Sequence, residues 1–219
     1  MTIEAVVFDL DGVLIDSIEV MREAFGLAYA EVVGPGAAPF EAYLPHLGRH
    51  MVDTLRIMGL PEAMYPSFVR FSRELVHRVP RCDGAGELLD GLRAQGVGIA
   101  VATGKVRDRA DHVLDAVGLL GRVDAVTGSD EVPTGKPDPA IVQLALHRLG
   151  AAPADAFMVG DSPLDLLAGQ AAGARVAAAL WGQGVRDELL ACQPDLIATS
   201  CGELGVELGK LITREGPRR

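Results

Sequence analysis

Two carboxylates, Asp9 and Asp11, stand two residues apart in AVVFDLDGVL (residues 5–14), directly after an apolar run. Alternate residues of an extended strand point to one side, so both groups can face a single spot. Three other segments also place polar groups just after a hydrophobic stretch. Thr103, Gly104 and Lys105 follow VGIAVA, Lys136 lies in SDEVPTGKPDP, and Asp161, Ser162 and Asp165 follow AFMVG. Taken singly, each has a plain reading: an acidic turn, a strand end, a solvated lysine, or a helix cap at Ser162–Pro163. Gathered at one place, the carboxylates would repel one another at neutral pH, and a divalent cation with hard oxygen ligands would offset that repulsion. Mg2+ suits aspartates and a backbone carbonyl and shares itself with phosphate. The set then reads as a phosphoryl-transfer site: an aspartate nucleophile, a metal, a lysine and hydroxyl donors. Lysine is scarce here, three against seventeen arginines, and two of the three are Lys105 and Lys136. A compact ammonium at those two places is therefore a choice rather than a default.

Such convergence needs elements that end at one rim. Residues 4–10 predict a buried strand. Asp16, with Glu19 three residues on, reads as a capping box that opens a helical block. VMREAFGLAYAEVV and PSFVRFSRELVHRV keep a helical period to about residue 79, with breaks at Gly34–Pro35–Gly36, near Gly48 and at Gly59–Leu60–Pro61. Beyond Pro80, helices (about 84–95, 106–117, 139–149, 164–172 and 202–212) alternate with strands (97–103, 123–128, 156–161, 174–180 and 195–199). That alternation predicts βαβ units and an α/β fold with a parallel sheet flanked by helices. Parallel sheets bind ligands at the carboxyl ends of their strands. All four polar segments lie there, and so does the entry to the helical block. The expected organisation is a core of residues 1–15 and 81–213, a helical cap of residues 16–80, and a frayed tail at 214–219. Hinges near 14–17 and 79–84 would let the cap close and exclude water.

Composition narrows the function classes. The 219 residues carry a net charge of −10 with scattered arginines, which argues against nucleic-acid binding and against anionic membranes. No run of ~18 apolar residues predicts a membrane span, and Glu4 and Asp9 interrupt any secretory leader. Cys82, Cys192 and Cys201 lack metal-type spacing and read as reduced thiols of a cytoplasmic protein, a monomer or homodimer.

FDLDGVLIDS, VATGK, the Lys136 of GKP, and VGDSPLD resemble, in order, the four motifs of the haloacid dehalogenase-like hydrolase superfamily. The helical block after the first motif resembles that of the C1-capped phosphatases, such as the phosphoglycolate phosphatases. The resemblance implies roles. Asp9 would be the nucleophile that becomes an aspartyl phosphate. Asp11 would be the general acid and then base. Thr103 would hydrogen-bond the transferring phosphoryl, and Lys136 would hold nucleophile and phosphate together. Asp9, the Asp11 carbonyl and Asp161 would hold Mg2+, with Asp165 orienting metal waters or Lys136. Backbone N–H groups near Gly12 and Gly104, together with Lys105, would contact the phosphate. Asp11 is absent from the dehalogenases of this superfamily, so C–halogen hydrolysis is not expected. Sugar phosphomutases of the subgroup carry a histidine where this chain has Met21.

In the helical block, HLGRH (46–50) resembles the substrate-specificity loop of C1 caps, with Arg49 as the candidate contact. His46 and His50 have zinc-like spacing but no third partner. Arg107 and Arg109 read as surface charges at a helix start. VMREAF, AYAEVVG, HLGR, VATGK, GSDEVP and ALWG together resemble phosphatases associated with 3-amino-5-hydroxybenzoate synthesis in antibiotic pathways. The expected function is Mg2+-dependent hydrolysis of a small sugar-like, aminosugar or organic-acid phosphate. The alternatives are a sugar phosphomutase of the same fold, or a phospho-receiver-like or non-catalytic regulatory binding protein.

Overall fold

Strand β1 (Ala5–Phe8) lies in the middle of a six-stranded sheet. The computed structural model describes residues 3–47 and 49–213. Gly48 and the tail 214–219, where fraying is expected, lie outside the described residues. From β1 the chain enters helices α1 (Ile18–Val32), α2 (Phe40–Tyr43), α3 (Met51–Ile57) and α4 (Met64–Glu74). It returns through α5 (Ala85–Ala94), β2 (Gly98–Ala102), α6 (Arg107–Ala116) and β3 (Ala125–Thr127). Then come α7 (Ala140–Leu149), β4 (Ala156–Gly160), α8 (Pro163–Ala171) and β5 (Arg175–Ala179). Helix α9 (Arg186–Ala191), strand β6 (Leu196–Ala198) and helix α10 (Cys201–Thr213) complete the order.

The sheet is parallel throughout, in the order β3-β2-β1-β4-β5-β6. The chain builds outward from β1 through β2 to β3, then crosses back to lay β4 on the other side of β1. This reversal opens a crevice at the carboxyl ends of β1 and β4, the position at which such sheets take ligands.

The strands read as unbroken apolar runs because both faces are covered. Val6, Phe8, Ile99, Val101, Phe157 and Val159 point into a core shared with α5, α6 and α10. Their alternates Ala5, Val7, Ala100, Ala102 and Met158 point into a second core with α7 and α8. A third core consists entirely of helical-block residues, among them Phe25, Phe40, Tyr43, Leu55, Met64 and Phe68. Its aromatic rings pack edge-on or tilted, with Phe25 5.7 Å from Phe40 and 5.3 Å from Tyr43 between centroids. Truncating a buried Phe here to Ala would cost ~3–5 kcal/mol. No strand interrupts this block among the described residues. The two connections to it are bonded together: Asp16 N–H donates to Pro80 O (3.0 Å) and Cys82 N–H to Leu14 O (3.0 Å).

Two local expectations need correction. The cap residue of α1 is Ser17 rather than Asp16, and no side-chain cap bond forms, because the Ser17 hydroxyl donates to Asp11 instead. The short α9 between β5 and β6 had no sequence forecast; at six residues it is too brief to display a period. None of the described helices is long and apolar enough to cross a membrane.

Candidate active site

Strand pairing delivers the first two carboxylates. Phe8 pairs with Val159, and the Asp9 N–H donates to Val159 O at 2.9 Å, so Asp9 leaves β1 while still held against β4. Asp161 follows the end of β4 directly. The third comes from α8, where Ser162 is the N-cap. The Ser162 N–H (3.1 Å) and hydroxyl (2.6 Å) both donate to Asp165 Oδ2, closing a capping box that aims Oδ1 inward. Asp9, Asp161 and Asp165 are all buried, and each offers a carboxylate oxygen within 4.8 Å of the others. Lys136, only 1% exposed, donates from Nζ to Asp9 Oδ1 and to Asp165 Oδ1, both at 2.6 Å.

The electrostatics follow from this crowding. Burial pushes the Asp9 carboxyl up to about 7, and Asp165 and Asp11 push the same way against the pull of Lys136. Asp161 is raised well above its ordinary value by burial, then by Asp165 and Asp9, with the Gln183 N–H opposing. Burial works against the Lys136 ammonium, but Asp165 and Asp9 outweigh it and hold its pKa above the usual lysine value. One ammonium among three buried carboxylates leaves surplus negative charge. Asp9 Oδ2 and Asp161 Oδ1 accept no hydrogen bond from the described residues. Two free carboxylate oxygens in a buried, over-acidic cluster suit a hard divalent cation.

Asp11 stands beside this cluster in different company. Lys105 Nζ donates to its Oδ1 at 2.6 Å, and the Ser17 hydroxyl donates to the same oxygen. Burial would raise the Asp11 carboxyl, but Lys105, Ser17 and the nearby Arg109 overcome it and hold it below its ordinary value. The Lys105 N–H donates to Thr103 Oγ1 (3.2 Å), which ties that fully buried threonine to the same loop. Neighbouring carboxylates are thus driven in opposite directions, Asp9 towards the protonated form and Asp11 towards the ionised form. Environments that separate two carboxyls in this way mark acid–base chemistry.

Gly12 turns the chain at φ +78°, and a Cβ there would lie 2.1 Å from Asp161 Oδ2. Its N–H is committed to Ile15 O (2.8 Å), so its place in the site is steric. Sequence reasoning missed the segment after β5. The Gln183 N–H donates to Asp161 Oδ2 at 2.7 Å, and a Cβ on Gly184 would fall 1.7 Å from the Asp161 carbonyl oxygen. The loop WGQG wraps that tightly around Asp161, and its paired glycines were the available signal.

Above the carboxylates opens a cleft that is partly open to solvent. Tyr43, Arg49, Met51 and Phe68 line it from the helical block, and Gly104, Lys105 and Arg109 from the loop after β2 and the first turn of α6. Arg49, the sequence candidate, faces this space, and its Nε is buried without a partner among the described residues. Arg109 corrects the reading of it as a surface charge: it is only 8% exposed, and its guanidinium lies 5.0 Å from the centre of the Phe68 ring. Arg107 does remain half-exposed, paired with Asp111. His46 and His50 join no metal-ligating group among the described residues.

Residues 6–179 match the model of a family described as haloacid dehalogenase-like hydrolase. The chain is 32% identical over 207 residues to the pyrophosphatase PpaX of Bacillus velezensis, covering 92% of this chain and 94% of that one. It is 34% identical over 212 residues to the probable phosphatase IndB of Dickeya dadantii, covering 91% and 90%. The crystal structure of CbbY from Rhodobacter sphaeroides in complex with phosphate superposes with a TM-score of 0.81 at 26% identity, covering 93% and 97%.

Proposed function

The chain belongs to the haloacid dehalogenase-like hydrolases and is a phosphatase of that family, and from that premise we propose that it hydrolyses a small-molecule phosphomonoester through a phosphoryl group carried on Asp9. The observation that carries this reading is the buried cluster in which Asp9, Asp161 and Asp165 meet Lys136, with Asp11 beside it. Asp9 shares the buried cluster with Lys136, whereas Asp11 is paired outside it with Lys105.

In this reading an Asp9 oxygen attacks phosphorus, the phosphorus–oxygen bond to the alcohol breaks, and Asp11 supplies a proton to the departing oxygen. Water then attacks the acyl phosphate, Asp11 takes its proton, and inorganic phosphate leaves. Asp11 starts ionised because Lys105 holds it. As the substrate dianion enters, it draws Lys105 away, and the Asp11 carboxyl rises towards a protonated form. Lys136 keeps Asp9 in line, and Asp165 keeps Lys136 in line through their 2.6 Å contact. Thr103 and the Gly104 turn close on the phosphoryl oxygens. Mg2+ would be held by Asp9, Asp161 and the Asp11 carbonyl, with Asp165 behind, and would supply charge neutralisation for the attacking carboxylate and the phosphoryl group. The helical block is the cap that covers this chemistry.

A mutase reading is disfavoured by Met21, 5% exposed on the cavity wall, whose thioether cannot relay a proton. The test is a screen of phosphorylated metabolites, with and without Mg2+, on the wild type and Asp9→Asn. The variant should stay folded and release no phosphate; steady release by it, beyond slow deamidation to Asp, would refute the role of Asp9.

A further inference from the structure

Arg109 is the cation that the proposed chemistry leaves unused. Its side chain is buried on the first turn of α6, yet among the described residues it has no carboxylate within ion-pair distance and no side-chain hydrogen bond. The acidic groups acting on it are Tyr43, Asp11 and Tyr65, two of them phenols. Tyr43 is a phenol that burial keeps protonated, pushed up to about 12, and Asp11 is already held by Lys105 and Ser17. The remaining contact is with the Phe68 ring, which satisfies the face of a guanidinium but none of its five N–H donors. A buried charge without a counter-ion is costly, and proteins retain one where a ligand completes it. Arg109 and Arg49 line the same cavity, and the Arg49 Nε is buried without a partner among the described residues. Two guanidinium groups, one from each side of the cavity, therefore face an empty space with no protein anion to pair. Neither is needed at the reacting phosphoryl group, where Lys136 and Lys105 already stand.

We propose that Arg109 is a specificity-determining residue that receives a second anionic group of the substrate, a carboxylate or a phosphate, with Arg49 closing on that group from the helical block. This rests on the phosphatase reading of the site. A planar guanidinium binds either group with paired hydrogen bonds, and stacking on Phe68 fixes its plane before the substrate arrives.

The test compares substrates that share the reacting phosphate and differ in the tail: 2-phosphoglycolate (carboxylate), inorganic pyrophosphate (phosphate) and 2-hydroxyethyl phosphate (neutral). Wild type, Arg109→Met and Arg109→Lys are assayed with Mg2+. The wild type should favour one or both anionic tails over the neutral one. Arg109→Met, which keeps an apolar body against Phe68, should lose ~10–100-fold in kcat/KM on the favoured anionic substrate, mainly through KM. On the neutral substrate, where only the influence of Arg109 on Asp11 is removed, the loss should be smaller, and Arg109→Lys should recover part of the loss on the anionic one. The arm that collapses identifies the tail as carboxylate or phosphate. A loss of equal size on all three substrates, or no loss at all, overturns the proposal. Calorimetric binding of 2-phosphoglycolate, pyrophosphate and 2-hydroxyethyl phosphate to Asp9→Asn, with and without Arg109→Met, asks the same question without turnover. If Asp9→Asn binds none of the three compounds, the reading of this cavity as the substrate site fails; if Arg109→Met leaves the binding preference unchanged, the proposal about Arg109 fails. Should Arg109→Met not fold, Arg109→Gln is read by the same criteria.

Discussion

Mg2+ affinity should rise steeply with pH through neutrality, and the amount follows from Asp9. A ligand carboxylate must be ionised to bind a cation, so binding displaces whatever proton it carries. Burial places the Asp9 carboxyl at about 7 in the metal-free protein. About one Asp9 in eleven is then ionised at pH 6 and about ten in eleven at pH 8, so apparent affinity should increase about tenfold, ~1.4 kcal/mol, across that interval. Asp161, raised by the same burial, adds in the same direction. Isothermal titration at the two pH values, in buffers of different ionisation enthalpy, measures both quantities. Asp9 alone should release nearly one proton per Mg2+ at pH 6 and far less at pH 8, with any proton from Asp161 in addition. The stability of the metal-free protein carries the opposite sign. Asp9 titrates at 3.8 when unfolded and at about 7 when folded, so between those values the native state binds more protons. Its contribution is fully present below pH ~4 and is lost as pH rises through ~7, with Mg2+ restoring stability at the alkaline end. Equal affinity at pH 6 and 8 without proton release would show that Lys136 outweighs burial and holds Asp9 ionised from the start.

Three further outcomes are expected. Lys105→Met removes the main group holding Asp11 ionised in the free enzyme, so the Asp11-dependent limb of the kcat/KM pH profile should move to higher pH, while Lys105→Arg should leave it nearly in place; a lower profile with unmoved limbs would contradict the pairing. Gly12→Ala puts a side chain at φ +78° and a Cβ against Asp161; it should lower stability by ~1–2 kcal/mol, read as a fall of a few degrees in Tm, and weaken Mg2+ binding, and an unchanged Mg2+ affinity would show that Asp161 can move aside. Gly184→Ala should be worse than Gly12→Ala, because the atom it meets is the Asp161 backbone rather than a movable carboxylate; a wild-type melting curve would refute the wrapped loop.

The strand–helix alternation was plain in the chain because the central strands are buried on both faces and the flanking helices on one, which imposes distinct apolar periods. Asp9, Asp161 and Asp165 were legible as neighbours because the first two directly follow strands and the third lies in the first turn of a helix, where short-range spacing reports direction, whereas Lys136 reaches them from the loop between β3 and α7. The spacing puts the cap of α1 one residue early, at Asp16, and only the fold shows that the helix starts after Ser17, whose hydroxyl donates to Asp11. Gln183 was missed because it contributes a backbone N–H, a group that every non-proline residue possesses.

Residue order by itself determined the element types, the parallel sheet and the acidic rim, because these rest on local periodicity and on the rule that parallel strands present their carboxyl ends together. What a charge is worth depended on its neighbours across the fold. Asp9 and Asp11, two residues apart, are driven in opposite directions, Asp9 up by burial beside Asp165 and Asp11 down by Lys105 and Ser17, and Arg109 looks like any helix-start arginine until Phe68 of the helical block covers it. Desolvation and pairing are set by atoms distant along the chain, so only the tertiary structure could decide them.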